Sequence, residues 1–209
     1  MTRSSNVTVA DLGLGNLHSV VEALRRTGAN VALRDDPNAI READRLVVPG
    51  QGGFASCADR LEAGFADAIC EWLELERPYL GICLGMQMLF ESSEEAPGRF
   101  GLGIFAGTVK RLPVEVGGES IKVPHIGWKP LIDPAHRYLE GGGWYYFVHS
   151  YACVPNSTRI VVARARHGTE ARGEDFCAAV SIGSVFACQF HPEKSQHRGA
   201  SLLSRFMES

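Results

Sequence analysis

Gly81-Ile82-Cys83-Leu84-Gly85 constrains this chain more than any other stretch. Tyr79 to Ile82 is an apolar run of strand type, and a helical spacing of Leu84, Met88 and Leu89 starts directly after the cysteine. A strand, a sharp turn and a helix in so few residues leave Cys83 at the turn, with a glycine two residues to either side. Gly-x-Cys-x-Gly is the spacing of a nucleophile elbow, in which glycines let the backbone take a strained turn that lifts the side chain clear of the sheet edge. The unpaired N–H groups and positive dipole end of the helix's first turn both favour a thiolate there. The same residues also fit a small buried cysteine ending a strand, because free cysteine is among the most buried residue types. A base elsewhere in the chain decides between the two.

Cys188-Gln189-Phe190-His191-Pro192-Glu193-Lys194-Ser195 offers one. Ser184 to Phe190 reads as a strand, and in extended chain residues two apart share a side, so Glu193 reaches the His191 ring while Pro192 stiffens the link. Alone, His-Pro-Glu reads as a loop with a structural histidine. Beside a cysteine elbow it supplies a base and the carboxylate that orients it, and separation along the chain is no obstacle to a dyad assembled in space. Pro49-Gly50-Gln51-Gly52-Gly53-Phe54 is a tight turn by itself. Next to a nucleophile it becomes an anion-facing set of N–H groups, an oxyanion hole built from Leu84 N–H with that of Gln51 or Gly52. Gln87, one helical turn beyond Cys83, shares its face and can hydrogen-bond a substrate.

Pro78-Tyr79-Leu80-Gly81-Ile82-Cys83-Leu84-Gly85-Met86-Gln87 together with His191-Pro192-Glu193-Lys194-Ser195 resembles the class I (triad) glutamine amidotransferases. Asp11 to Ser19, Pro49 to Phe54, Gly127-Trp128-Lys129 and Val148-His149-Ser150-Tyr151 extend the resemblance over nearly the whole chain. It is closest to those glutaminases that serve imidazole glycerol phosphate formation in histidine biosynthesis. The resemblance implies L-glutamine as substrate, a Cys83-His191-Glu193 triad, and further glutamine contacts at Gly52, Ser150 and Tyr151. It also implies a heterodimer with a (β/α)8-barrel cyclase that receives the ammonia, docked on a face that includes Asn16, Trp128 and Lys194. Two positions depart from the family's pattern: it usually has tyrosine where Leu12 stands and asparagine where Lys129 stands. Both lie in stretches expected to face the partner, so a paralogue serving another acceptor, as in surface-sugar amidination, stays open.

The 209 residues suffice for one sizeable core, and a single domain over 1–209 is expected. A formal net charge of −3 gives no reason to expect nucleic acid or an anionic membrane as partner. The short polar start, Met1 to Asn6, carries no secretory core, and no run of eighteen apolar residues occurs, so a cytoplasmic protein is expected. Six scattered cysteines without Cys-x-x-Cys read as reduced thiols, and seven histidines without metal-ligand spacing predict no metal site. No cofactor is expected: Gly13-Leu14-Gly15-Asn16 resembles a dinucleotide fingerprint only partly, because His18 stands where glycine is needed.

In chain order, strands are predicted at Val7–Ala10, Val31–Arg34 and Arg45–Val48, with helices at Leu17–Thr27, Phe54–Glu76 (broken at Gly64) and Gly199–Met207. Glu91–Gly103 reads as a polar loop and Gly107–Val123 as a hairpin turned at Gly117-Gly118. Strands at Tyr145–Val148, Arg159–Arg166, Cys177–Ile182 and Ser184–Phe190 follow. Alternating strands and helices first, antiparallel strands later, predict an α/β fold with a mixed, largely parallel central sheet flanked by helices and the site at the carboxyl ends of its parallel strands. Two other classes fit the Cys-His pair less well: a thiol hydrolase, against which Gln87 and the Pro49–Phe54 loop speak, and a non-catalytic interaction module.

Overall fold

The computed structural model describes residues 6–209; the polar start at 1–5 lies outside them. The first half alternates β1 (Asn6–Ala10), α1 (Leu17–Arg25), β2 (Asn30–Arg34), α2 (Pro37–Arg41), β3 (Leu46–Gly50), α3 (Phe54–Arg60), α4 (Ala66–Glu74), β4 (Tyr79–Cys83) and α5 (Leu84–Gln87). Strands then dominate: β5 (Phe90–Ser93), β6 (Phe105–Arg111), β7 (Glu115–Val116), β8 (Glu119–Ser120), β9 (His125–Pro130), β10 (Trp144–His149), β11 (Tyr151–Pro155), β12 (Val161–Gly168), β13 (Gly173–Ile182) and β14 (Val185–Cys188). Helix α6 (Gln196–Met207) follows them.

Seven strands form the main sheet in the order β12-β13-β14-β4-β3-β1-β2. The run from β14 to β2 is parallel, and β12 and β13 add an antiparallel edge. Strand β14 brings the chain's late segment beside the elbow strand, with Cys188 opposite Ile82, while Gly50 of β3 pairs with Cys83 on the other side. Three segments therefore leave the sheet at one edge, the carboxyl ends of β3, β4 and β14.

Alternation along the strands explains why both faces are covered. Val7, Val9, Val47, Leu80 and Ile82 belong to one buried cluster, with Leu24 of α1 and Phe206 of α6. Leu46, Val48 and Tyr79 belong to the other, with Phe54 of α3 and Trp72 of α4. A parallel strand buried on both faces needs this continuous apolar character. Local signals set the helix limits. Asp36 caps α2 by accepting from Asn38 N–H at 2.9 Å just before Pro37, and Gly64, at φ +105°, breaks the long helical segment as its sequence predicts.

Three expectations change. Helix α5 is a single turn of four residues, and Phe90–Ser93 is a strand where a polar loop is predicted. Leu89 already offers its carbonyl to Phe105 N–H at 2.9 Å, which draws the chain into a second sheet, β11-β6-β5. The single-turn helix keeps free N–H groups at its start but little macrodipole, so the dipole contribution expected at Cys83 shrinks to that of one turn. The Gly117-Gly118 turn joins only the two-residue strands β7 and β8, because β6, which opens the expected hairpin, pairs with β11 instead and residues 121–123 form no strand. Among the described residues, no helix is long and apolar enough to cross a membrane.

Strands β9 and β10 form a separate two-stranded ribbon whose two faces differ sharply. Its inner face carries His125 opposite His149, packed with Phe147 and Phe176. His149 Nδ1 donates to Tyr151 O at 2.9 Å, His167 Nε2 donates to Pro113 O at 3.0 Å, and His125 Nδ1 donates to His167 Nδ1 at 3.0 Å. Those bonds leave His125 Nε2 and His149 Nε2 as buried lone pairs without a partner among the described residues. Burial, reinforced by the neighbouring histidines, lowers the His125 pKa to about 4 and that of His149 to about 3.

Both rings stay neutral when folded but take protons near their ordinary pKa of about 6.5 once unfolded. Their contribution is present above about pH 6.5 and is lost as pH falls towards their folded values. The melting temperature is expected to drop progressively between about pH 6.5 and pH 4. A flat melting profile across that window would show that the rings gain protons without unfolding.

Candidate active site

Cys83 ends β4 at φ +56°, ψ −106°, a region that only an over-determined surrounding holds for a residue with a side chain. Two glycines do the holding. A Cβ at Gly85 would lie 1.8 Å from Val48 O, and one at Gly81 would lie 2.5 Å from Gly85 O. The turn therefore closes only where β3, β4 and α5 bring bare backbone together.

His191 follows β14 and Glu193 stands two residues on, but the link is a 3-10 turn over Pro192–Lys194 and not the extended chain expected. Pro192 suits the first position of such a turn because it needs no N–H partner there. The contact survives the change: His191 Nδ1 donates to Glu193 Oε1 at 2.8 Å, and both side chains are almost wholly buried. Ser195 Oγ donates to His191 O at 2.6 Å and accepts from Tyr146 N–H at 3.0 Å, which ties the turn to β10.

The Nε2 of His191 has no partner in hydrogen-bond geometry among the described residues. Burial alone would lower the ring's pKa. The Cys83 sulfur first and the Glu193 carboxylate second outweigh it, and carry the imidazolium up to about 9. The structure thus brings the elbow sulfur, the ring and the carboxylate together.

A cavity of about 370 Å³ opens on Cys83. Leu84, Gln51, Gly52, Gln87, Ser150, Tyr151 and Lys194 all line it. Asn16 lies on a smaller recess with Gln51, His191 and Glu193, where its side chain caps α1. Trp128 is not on the cavity wall; its ring stands edge-on to that of Tyr146, which is, with centroids 5.9 Å apart.

Three further side chains at the site are not singled out by the sequence. Tyr146 sits on the cavity wall, and Glu95 lines the cavity while its Oε2 accepts from Phe54 N–H at 2.8 Å. Gln189, fully buried, contacts the Cys83 sulfur. Of the three, only Gln189 lies inside a motif, where a polar residue at an apolar strand end is the available signal.

The two departures from the family pattern also find their places. Leu12 is 1% exposed inside the core, and Lys129 reaches back to donate to Gly168 O at 2.8 Å. Leu12 is therefore no part of a contact face, contrary to expectation, and the Lys129 ammonium is already engaged within the chain.

Residues 8–209 match the glutamine amidotransferase class-I family. The chain belongs to it. Imidazole glycerol phosphate synthase subunit HisH of Syntrophotalea carbinolica is 44% identical over 207 residues, covering 96% of this chain and 98% of that protein. The protein of the same name from Pyrococcus furiosus is 41% identical over 204 residues, with 96% and 97% covered. Among solved structures, that of PurLQS from Thermotoga maritima superposes with a TM-score of 0.67 at 19% identity, covering 98% of this chain and 98% of that one, a likeness of fold alone.

As a class-I glutamine amidotransferase the chain is an enzyme, and its other thiols are poorly suited to attack. Burial pushes the Cys57 and Cys177 pKa values up to about 12 and those of Cys153 and Cys188 up well beyond the ordinary range. Cys70, partly exposed on α4, is raised as well, by burial and by Asp67 and Glu74.

The elbow's close packing yields a test. Gly85→Ala forces backbone apart and is expected to cost about 1–3 kcal/mol, each kcal/mol lowering Tm by about 2–4 °C, with loss of glutaminase activity. A variant that melts with the parent and still turns over would mean that Gly85 is not where the elbow closes.

Proposed function

We propose that residues 1–209 form a single glutaminase domain, the glutaminase subunit of an imidazole glycerol phosphate synthase in histidine biosynthesis. It hydrolyses L-glutamine and passes ammonia to a (β/α)8-barrel cyclase subunit. One observation carries the chemistry: the sulfur of a cysteine in a strained elbow interacts with a buried His-Glu pair whose imidazolium persists to about pH 9.

Cys83 attacks the side-chain amide carbon as a thiolate, forming the carbon–sulfur bond and moving an electron pair onto oxygen. Backbone N–H groups at Leu84 and at Gln51 or Gly52 take that charge, an effect of about 3–4 kcal/mol per donor. His191, charged at neutral pH, gives its proton to the nitrogen as the carbon–nitrogen bond breaks. It then takes a proton from the water that cleaves the thioester, releasing glutamate. Glu193, bonded to Nδ1, keeps Nε2 turned to the reaction.

Glutamine's other groups find matching chemistry on the cavity wall. Both Nε2 hydrogens of Gln87 are engaged, by Tyr151 O at 3.1 Å and by Gln189 Oε1 at 3.0 Å, so Gln87 offers the substrate its carbonyl oxygen. Glu95 supplies a carboxylate for the α-ammonium, and backbone near Ser150 and Tyr151 with Gly52 completes the contacts.

Ammonia in water at neutral pH is mostly ammonium, so the product has to be received directly. The outer face of the β9–β10 ribbon suits such a receiver. Ile126, Trp128 and Trp144 project there, 56%, 38% and 57% exposed, beside the cavity residues Tyr146 and Val148. A large exposed aromatic patch bordering an active site marks a docking surface. Lys194, on the cavity wall, and Asn16, on the recess beside His191, belong to the same proposed face. The buried Leu12 and engaged Lys129 remove the main reason to favour a paralogue with a different contact face.

Cys83→Ala is expected to abolish glutamate release and labelling by a glutamine-like alkylating agent; labelling that persists at Cys188 or Cys177 would overturn the assignment. Trp128→Ala is expected to weaken association with the barrel cyclase by about tenfold or more, read by titration calorimetry. Unchanged affinity would remove Trp128 from the interface.

A further inference from the structure

Gln189 is wholly buried between β14 and the His191 turn, its N–H donating to Ala178 O at 2.9 Å. Its side-chain Oε1 accepts from Gln87 Nε2 at 3.0 Å, and its Nε2 faces Cys83 Sγ at 3.4 Å. The amide's direction is fixed from outside. Gln87 Nε2 also meets Tyr151 O at 3.1 Å, and a carbonyl only accepts, so nitrogen stands there. Gln189 must then turn oxygen to Gln87 and nitrogen to sulfur. A directed chain results, from Tyr151 O through Gln87 and Gln189 to the elbow.

We propose that Gln189 is a positioning residue for the Cys83 nucleophile, donating to the sulfur an N–H whose aim is set by Gln87. The inference rests on Cys83 being the nucleophile. An N–H bonded to sulfur is strongest when the sulfur is charged and weakens when it is acylated. Gln189 therefore favours the thiolate before attack and again when the thioester is cleaved and the sulfur recovers its charge. Because Gln87 also borders the substrate's side of the cavity, a substrate that shifts Gln87 shifts the donor on the sulfur with it.

Gln189→Met keeps the length of the side chain and removes the donor; Gln189→Glu keeps the shape and presents an acceptor. The measurement is the rate of Cys83 alkylation by iodoacetamide across a pH series, with the modified peptide identified by mass. Loss of one hydrogen bond to a charged acceptor corresponds to about 10- to 100-fold. At about pH 7 the Met variant is expected to react slower by that factor, and to rejoin the parent at alkaline pH, where the thiolate forms unaided. The Glu variant is expected to be slower still.

In glutamine hydrolysis by the complex, the same variants are expected to lose kcat with KM held within about twofold. Gln87→Met, which leaves residue 189 in place but frees its amide to rotate, is expected to displace the alkylation profile in the same direction even if the buried 189 variants do not fold. A residue that only fills space would alter stability and leave the alkylation profiles superimposable, and that result overturns the proposal. If Cys83 of the unaltered chain reacts no faster than Cys70, the nucleophile assignment itself fails and this inference with it.

Discussion

The backbone contact between Gly85 and Val48 is the constraint on which the rest of the molecule depends. It is a steric fact before it is a chemical one: the carbonyl of a β3 residue occupies the volume where any Cβ at position 85 would stand. That approach lets α5 pack against the sheet, and the turn that leads into it holds Cys83 at positive φ. Strain of order 1–3 kcal/mol at such a residue persists only when its surroundings offset it. Here the two buried clusters on either face of the sheet do so, since β3 and β4 contribute side chains to both. The core and the reactive turn are thus one mechanical unit.

Parallel pairing then sets what can meet the sulfur. Strands β3 and β14 flank β4, so the residues that follow them emerge beside Cys83: Gln51 and Gly52 on one side, Gln189 and His191 on the other. The antiparallel edge β12–β13 serves this arrangement by returning the chain so that β14 runs parallel to β4. The meeting of the elbow sulfur with a ring from a distant segment depends on a single strand pairing, and the β14–β4 pairing is the one.

Much of this is legible along the chain because its signals are local. Two glycines around a cysteine, a proline before a glutamate, and glycine-rich chain after an apolar strand each reflect a backbone requirement that acts within a few residues. Where the requirement is not local, legibility ends. Met88-Leu89-Phe90 is apolar all round and fits a helix end or a strand equally well; only the partner strand β6, many residues later, makes Phe90 the start of a strand. Gln189 reads as a stray polar residue until the fold sets Gln87 and Cys83 beside it. His125, His149 and His167 carry no ligand-like spacing, and their cluster arises from a cross-strand pair meeting a third ring on β12. The reach of Glu193 to His191 follows from the sequence through the wrong geometry: the contact holds although a 3-10 turn, capped by an extended His191, replaces the extended chain.

The β9–β10 ribbon joins the two ends of the chemistry, and its alternation is the reason. On the inner face His149 lies over the core and fixes Tyr151 O, the same oxygen that fixes Gln87 and, through it, Gln189 and the sulfur. On the outer face, one residue out of phase, Tyr146 and Val148 stand beside the exposed Trp128 and Ile126. A partner pressing on the outer aromatics would therefore bear on a strand whose inner residues orient the hydrogen bonds that reach the Cys83 sulfur. Tyr146 adds a second connection, since its N–H holds Ser195 Oγ and its carbonyl receives His191 N–H at 2.9 Å. Displacement of this ribbon by even a fraction of an ångström would reach both the base and the sulfur. A two-stranded ribbon has fewer strand neighbours than the seven-stranded sheet opposite it, so a partner docked on the ribbon would press on the less braced wall.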